Sequence, residues 1–231
     1  MTATFADLFD RAAEYDADAE AVSEALAERR SASAGDSGGI PESDATDDLP
    51  PVDRDPSPAR VVADTDVLAA DLLGGGSARD ALDALRSHAW TALVASDPLL
   101  DEAEAVIAAL ADDELAADWR GAVEAWREPV AHPAGDHPAL ASAYRGGAMQ
   151  VVSLDPSLTG PGAAAGLRDR MAVSVREPRA FATVFSPARL YPEAVGGDYP
   201  GPDRDPRSME PVASDADRHR GGDDRPDPDQ H

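Results

Sequence analysis

The sequence predicts an α/β fold, a three-layer α/β/α domain over residues 60–188 built on a mainly parallel central sheet. Two observations carry that reading. Short apolar β-type runs alternate with helical runs, the pattern of consecutive βαβ units. Two of those runs also stop on an aspartate, at Asp64 and Asp155, as strands do where an open sheet gathers polar groups at its carboxyl edge. With about 125 residues, such a domain buries an adequate core.

The elements follow in order. Arg60 to Ala63 reads as a strand, and Asp66 to Leu73 as a helix stopped by Gly74, Gly75 and Gly76. Ser77 has the character of an N-cap for a helix through Arg86 that buries Leu82 and Leu85. Thr91 to Ala95 is the next strand. Ser96 caps a helix over Asp97 to Leu110, and Asp113 to Arg127 aligns Leu115, Trp119, Val123 and Trp126 on one face. Asp136 opens a helix that ends at Gly146-Gly147. Met149 to Leu154 and Ala172 to Arg176 complete the strands.

Three flanking segments lie outside this domain. Residues 1–30 read as an N-terminal helical extension, with Phe5, Leu8, Phe9, Ala12, Val22, Ala25 and Leu26 as an incomplete apolar stripe. The plain expectation is a helix that docks on the domain or frays; a helix that binds a partner is the alternative. Residues 31–59 are expected to be a disordered acidic linker, rich in proline, glycine and acids. Residues 189–231 are expected to be a disordered acidic tail, because Asp, Pro, Arg and Gly alternate from Pro192 onward.

Composition narrows the function classes. The chain has 231 residues and no cysteine, which removes disulfides and thiolate metal sites. No apolar run reaches the roughly 18–20 residues of a membrane span, and no basic-then-apolar leader opens the chain. A soluble cytoplasmic protein is the expectation. A formal charge of −25 argues at first against nucleic acid. Residues 60–185, however, hold 19 acids against 10 arginines, and much of the excess lies in the flanking segments. The chain also lacks lysine and asparagine entirely. An acidic, lysine-free, alanine-rich chain resembles the proteins of extreme halophiles. In molar salt the Debye length shrinks to about 3 Å, so net charge no longer governs long-range steering.

Each acid has a plain reading beside the functional one. Asp64 ends the first strand and is suited to capping the next helix, with Asp66 in its first turn. At about 100° per residue, Glu102 and Glu104 border the buried face of helix 97–110, whereas Asp101 points away. Helical geometry does not choose between those two glutamates. Asp136 precedes His137-Pro138 and is itself a fair cap, while Asp155 before Pro156 suits a turn.

Taken in order, these places resemble the PIN-domain nuclease family. Asp64-Thr65-Asp66 follows the first strand, and Glu102 lies six residues after Ser96. Asp136 opens Asp-His-Pro-Ala-Leu-Ala-Ser-Ala, and Ser153-Leu154-Asp155 follows a late strand. The resemblance covers about residues 62–176 and is nearest to a PIN-like group of unassigned role from halophilic archaea. It implies Glu102 rather than Glu104, and a sheet in which the first and fourth strands are neighbours. It further implies Asp64, Glu102, Asp136 and Asp155 as catalytic ligands of Mg2+ or Mn2+, with Asp66 and Ser153 supporting them. The activity implied is endoribonucleolytic hydrolysis of phosphodiesters, with RNA as substrate, a homodimer as an expected assembly, and an antitoxin or other protein as a further partner. Two residues depart from the family pattern: Asp66 stands in place of Asn or Ser, and Leu154 in place of a small residue.

Rival readings remain. Asp64-Thr65-Asp66 superficially resembles the opening of haloacid-dehalogenase-like phosphatases, but neither these nor a receiver domain suits a chain without lysine. The stronger rival is a catalytically inactive PIN-like module that binds RNA or protein, favoured if Leu154 fills the metal site. Arg168, Arg170, Arg176 and Arg179 form the one basic concentration, suited to phosphates or to surface ion pairs. His88, His132 and His137 lack metal-ligand spacing, and Trp90, Trp119 and Trp126 read as packing residues.

Overall fold

A computed structural model describes residues 3–36, 54–160, 162 and 172–212. Five parallel strands form one sheet: β1 (Ser57–Ala63), β2 (Ala92–Ala95), β3 (Glu128–Pro129), β4 (Ala148–Val152) and β5 (Ser174–Arg176). Their order is β3-β2-β1-β4-β5, and every neighbouring pair is parallel. Helices flank the sheet, giving the three-layer α/β/α domain. Val61, Val62, Ala63, Leu93, Val94, Ala95, Val151 and Val152 are buried without interruption. Strands covered on both faces need such continuous apolar runs rather than alternation. The first and fourth strands are indeed neighbours, with Ala63 opposite Val152. The two-residue edge strand β3 carries no apolar run and so leaves no periodic signal in the sequence.

Between β1 and β2 lie α3 (Thr65–Leu73) and α4 (Gly76–Arg86), and between β2 and β3 lie α5 (Asp97–Leu110) and α6 (Asp113–Glu124). Helix α3 is buried on every side, including Asp66 and Asp71. It stops at Gly74, where an added Cβ would lie 3.1 Å from the Ala19 backbone nitrogen, so glycine permits the close passage of the N-terminal extension. Ser77 does not cap α4. The cap position is Gly75, at φ 64°, and no side chain bonds there. Arg79 instead donates to the carbonyls of Asp71 and Leu72 and satisfies the end of α3. Ser96 caps α5 as expected, its Oγ accepting from the Leu99 N–H. Helix α7 (Pro138–Gly146) begins two residues after Asp136, with Pro138 in its first turn and His137 at the cap. It ends on Gly147 at φ 66°, where a side chain would meet the Arg54 and Asp55 carbonyls at 2.9 Å. A one-turn helix, α8 (Pro156–Thr159), follows β4.

The N-terminal extension is two helices rather than one. Helix α1 (Phe5–Ala12) starts in a Thr4–Asp7 capping box. Helix α2 (Ala19–Asp36) starts where the Asp18 carboxylate accepts from the Glu20 and Ala21 N–H groups. Both dock: Phe5, Leu8, Phe9, Ala12, Val22 and Leu26 are all buried in the common core. Tyr15 donates to Asp112, and Arg11 pairs with Asp118 at 2.5 Å, tying α1 to α6. Within the expected linker 31–59, residues 31–36 continue α2 and β1 starts at Ser57; residues 37–53 lie outside the described residues.

The C-terminal side also extends past the expected limit at 188. Helices α9 (Pro178–Val184) and α10 (Pro187–Ala194) lead into a packed segment reaching residue 212. Tyr199 bonds His88 at 2.6 Å, Asp203 accepts from the Ala89 N–H, and Arg207 pairs with Asp83 at 2.8 Å. Polar composition hid this because polar contacts and two tyrosines against Trp90 and His88 hold the segment, with little aliphatic burial. The remainder of the tail, 213–231, lies outside the described residues.

Inside the helical layer, Arg86 and Asp71 are both buried and paired through two hydrogen bonds of 2.7 Å. The guanidinium also lies near the rings of Phe5, Phe9 and Trp126, so α1 closes over it. Replacing Asp71 by Ala leaves a buried arginine with only Asp83 as acidic partner. We expect a loss of about 3–5 kcal/mol in denaturant unfolding in molar KCl, and an unchanged midpoint would contradict this account of the pair.

Candidate functional site

The point where strand order reverses lies between β1 and β4, and there the carboxyl ends of both strands open toward one crevice. The Asp64 N–H donates to the Val152 carbonyl at 2.8 Å, which holds the ends of the two strands level. Asp64 is fully buried. Its Oδ1 accepts from the Thr65 N–H at 2.9 Å, the capping bond of α3. Its Oδ2 accepts from Ser153 Oγ at 2.8 Å. The same Ser153 oxygen accepts the Asp155 N–H at 3.0 Å, so one hydroxyl orients both aspartates. Asp155 caps α8 through Oδ1 and leaves Oδ2 facing the crevice.

Glu102 arrives from α5. Thr65 donates to its Oε2 at 2.8 Å, and Arg30 of α2 grips both its oxygens at 2.9 and 3.0 Å. Burial pushes the Glu102 carboxyl up, but the hydrogen bonds from Arg30 and Thr65 outweigh it and hold the group below its ordinary value. Arg30 also lies 4.0 Å from Asp64 Oδ1 and 3.8 Å from Asp155 Oδ2. Its bond to Glu102 raises its own pKa against the effect of burial. Three carboxylates from three separate elements therefore surround one guanidinium.

Asp66 is the fourth acid of the cluster and 3% exposed. Its Oδ2 accepts from the Leu154 N–H at 3.0 Å, while Oδ1 is buried without a hydrogen-bond partner. Burial, and then the charge of Asp64, push the Asp66 carboxyl up to about 7. A cavity of about 270 Å³ opens beside it, lined by Leu26, Ala27 and Arg30 of α2 and by Leu154, Asp155 and Pro156 opposite. Leu154 lines this space without filling it.

Five of the six residues singled out in the sequence thus gather here: Asp64, Asp66, Glu102, Ser153 and Asp155. Asp136 does not join them. It sits exposed in the turn before α7, and among the described residues no hydrogen bond or ion pair links it to the cluster. The start of helix α7 at Pro138 displaces it, and His137 takes the cap position instead. Sequence reasoning missed Arg30 and the role of Thr65. The signal for Arg30 was its spacing from Val22 and Leu26 at i, i+4 and i+8, the face that α2 buries. Of the basic concentration, Arg176 bonds Gln150, and Arg168 and Arg170 lie outside the described residues. The histidines are dispersed: His88 meets Tyr199, His132 meets Ser96, and His137 stands at the start of α7.

The donor set is oxygen throughout, the chemistry of a hard divalent cation such as Mg2+ or Mn2+. The orphaned Asp66 Oδ1 and the guanidinium held among the carboxylates fit a cation at this point. Among the described residues no three ligating side chains stand at single-ion spacing.

Residues 55–207 match a family of unknown function, DUF7384, and the chain belongs to that family. No curated protein and no solved structure matches the chain. The family segment contains Asp64, Asp66, Glu102, Ser153 and Asp155, whereas Arg30 lies ahead of it. No described helix is long and apolar enough to cross a membrane.

In metal-free protein, folded Asp66 keeps a proton between the ordinary carboxyl value of 3.8 and about 7 that the unfolded chain has released. Its contribution to stability is therefore whole below the unfolded value and is lost as pH rises through about 7. Asp66→Asn removes that dependence, so its stability relative to wild type should climb over this range. Parallel stability–pH curves for the two proteins would refute the assignment.

Proposed function

We propose that the chain is a Mg2+- or Mn2+-dependent ribonuclease of PIN type that hydrolyses phosphodiesters at the Asp64–Glu102–Asp155 cluster. One observation carries the reading: carboxylates from the end of β1, from α5 and from the end of β4 surround a single cationic group at the switch point of a parallel sheet. The order of the motifs, similar to that of PIN nucleases, supports RNA as the substrate class.

In this reading Asp64, Glu102 and Asp155 hold the ion, and Asp66 offers its unpartnered Oδ1 beside them. Ser153 orients Asp64 through Oδ2 and the Asp155 backbone through its N–H, and Thr65 orients Glu102 through Oε2. These partners orient the carboxylates toward the crevice. Asp64, Glu102 and Asp155 would hold a divalent ion there, and it would supply Lewis-acid chemistry for phosphodiester hydrolysis. The cavity beside Asp66 is roomy enough for several waters.

A second reading has its own observation. Arg30 grips Glu102 with two hydrogen bonds, so the guanidinium itself can serve as the permanent counter-charge of an inactive binding module. Cleavage of a mixed pool of structured and single-stranded RNA with Mn2+ in molar KCl separates the two. Asp64→Asn should lower the rate by at least roughly 100-fold and Ser153→Ala by about 10–100-fold, the cost typical of an outer partner. Asp136→Asn should leave the rate within a few-fold of wild type, because its side chain is outside the cluster. A folded wild type that cleaves nothing under these conditions would favour the inactive module.

A further inference from the structure

We infer that Arg30 is a built-in competitor for the cation, and that α2 delivers it as a plug which must withdraw before the carboxylates can close on an ion. The inference rests on the reading of this cluster as a divalent-cation site. It concerns a residue that the family segment, residues 55–207, does not contain.

Delivery follows from helical periodicity. Val22, Leu26 and Arg30 recur every four residues on one face of α2. Val22 and Leu26 are buried against the core, which fixes the axis and roll of the helix. The next position along that face points into the crevice, and it is an arginine. Its planar fork suits a carboxylate and engages Glu102 through Nε and Nη2. The remaining terminal nitrogen faces Asp155 at 3.8 Å, and Nη2 is also 4.0 Å from Asp64. All three acids proposed as ligands thus pair with the same side chain.

Occupation and ion binding exclude one another on two grounds. The first is donor use: both Glu102 oxygens accept from Arg30, and Oε2 also accepts from Thr65. The second is charge: a guanidinium and a divalent cation cannot share a cavity this small without strong like-charge repulsion. Helix α2 also forms one wall of the cavity, with Ser23, Leu26, Ala27 and Arg30 facing Asp66, Leu154, Asp155 and Pro156. Withdrawal of the C-terminal half of α2 therefore opens the cavity and frees the acids together. Anchoring of α1 by Arg86 keeps the extension attached while α2 moves.

The test is Mn2+ binding to the full chain in molar KCl, read from loss of the free-ion electron paramagnetic resonance signal. Amide hydrogen exchange along α2 is followed in parallel. Arg30→Gln should bind Mn2+ roughly ten-fold tighter or more than wild type, within the usual span of coupling between exclusive states. Leu26→Ser, which loosens α2 while keeping Arg30, should tighten binding in the same direction, and saturating Mn2+ should speed exchange in wild-type α2. Equal or weaker binding by both variants, with binding abolished in Asp64→Asn, overturns the plug and leaves the cation site standing. Tighter binding by Arg30→Gln alone, with α2 exchange unchanged by Mn2+, also overturns it, because the arginine would then act only as a nearby charge. Absence of Mn2+ binding in wild type and both variants removes the site and the plug together.

Discussion

Adjacency of β1 and β4 brings acids to a place with little water, and that constraint organises the rest of the molecule. Asp64 is fully buried at the end of β1, and Asp66 almost so one turn position later. Like charges this close and this dry resist ionising together unless something positive or protic compensates them. Three compensations are visible. Ser153 and the Thr65 amide of α3 bond the Asp64 carboxylate, burial and Asp64 keep Asp66 largely proton-bound up to about pH 7, and Arg30 brings a full positive charge. The helical layer, the cap geometry and the docking of α2 all serve this one crevice.

The N-terminal extension is held by a second buried charge pair of a different kind. Arg86 and Asp71 satisfy one another inside the helical layer, and the aromatic rings of α1 cover the guanidinium. Burial drives the Asp71 carboxyl up, and Arg86 opposes it, so the pair depends on its own geometry and on the rings that exclude water. Arg207 reaches the same neighbourhood, over Phe9 and against Asp83, and the Ala6 N–H donates to its carbonyl. Both ends of the described chain thus converge on α4, and the extension is integral to the fold although it precedes the family segment.

The sheet and most of the site were legible because apolar runs that end on an aspartate carry their own punctuation. Asp64 and Asp155 are of this sort, and Ser96 marks α5 with a hydroxyl at its cap. Glu102 was legible only to the point that helical geometry left it level with Glu104. The fold decides between them: Glu102 meets Thr65 and Arg30, whereas Glu104 turns outward to Arg120. Asp136 misled because Asp-His-Pro offers two candidate starts, and proline in the first turn sets the helix one residue later than the aspartate requires. Arg30 was hidden for a different reason. A single arginine on a polar helix looks solvated until the helix's packing partner is known, and the acids it meets lie 34 to 125 positions away in sequence.

Salt distinguishes the ways in which Arg30 is held. In molar salt the Debye length is about 3 Å, which weakens the approach to the part-exposed Asp155 at 3.8 Å more than the approach to the buried Asp64 at 4.0 Å. The two hydrogen bonds to Glu102 are shorter and partly shielded from solvent, and they persist. Val22 and Leu26 each add about 1.5–3 kcal/mol of burial, a contribution that salt does not screen. Hydrophobic packing and the Glu102 hydrogen bonds therefore both keep α2 seated in concentrated salt. On the proposed cation reading the balance is the opposite, since a divalent ion would gain from coordination by several carboxylates and would lose the seating of one helix face. The position of Arg30 on the same stripe as Val22 and Leu26 would couple those two balances: in the proposed exchange, the cation and the hydrophobic contacts of α2 replace one another, and the strength of one sets the threshold for the other.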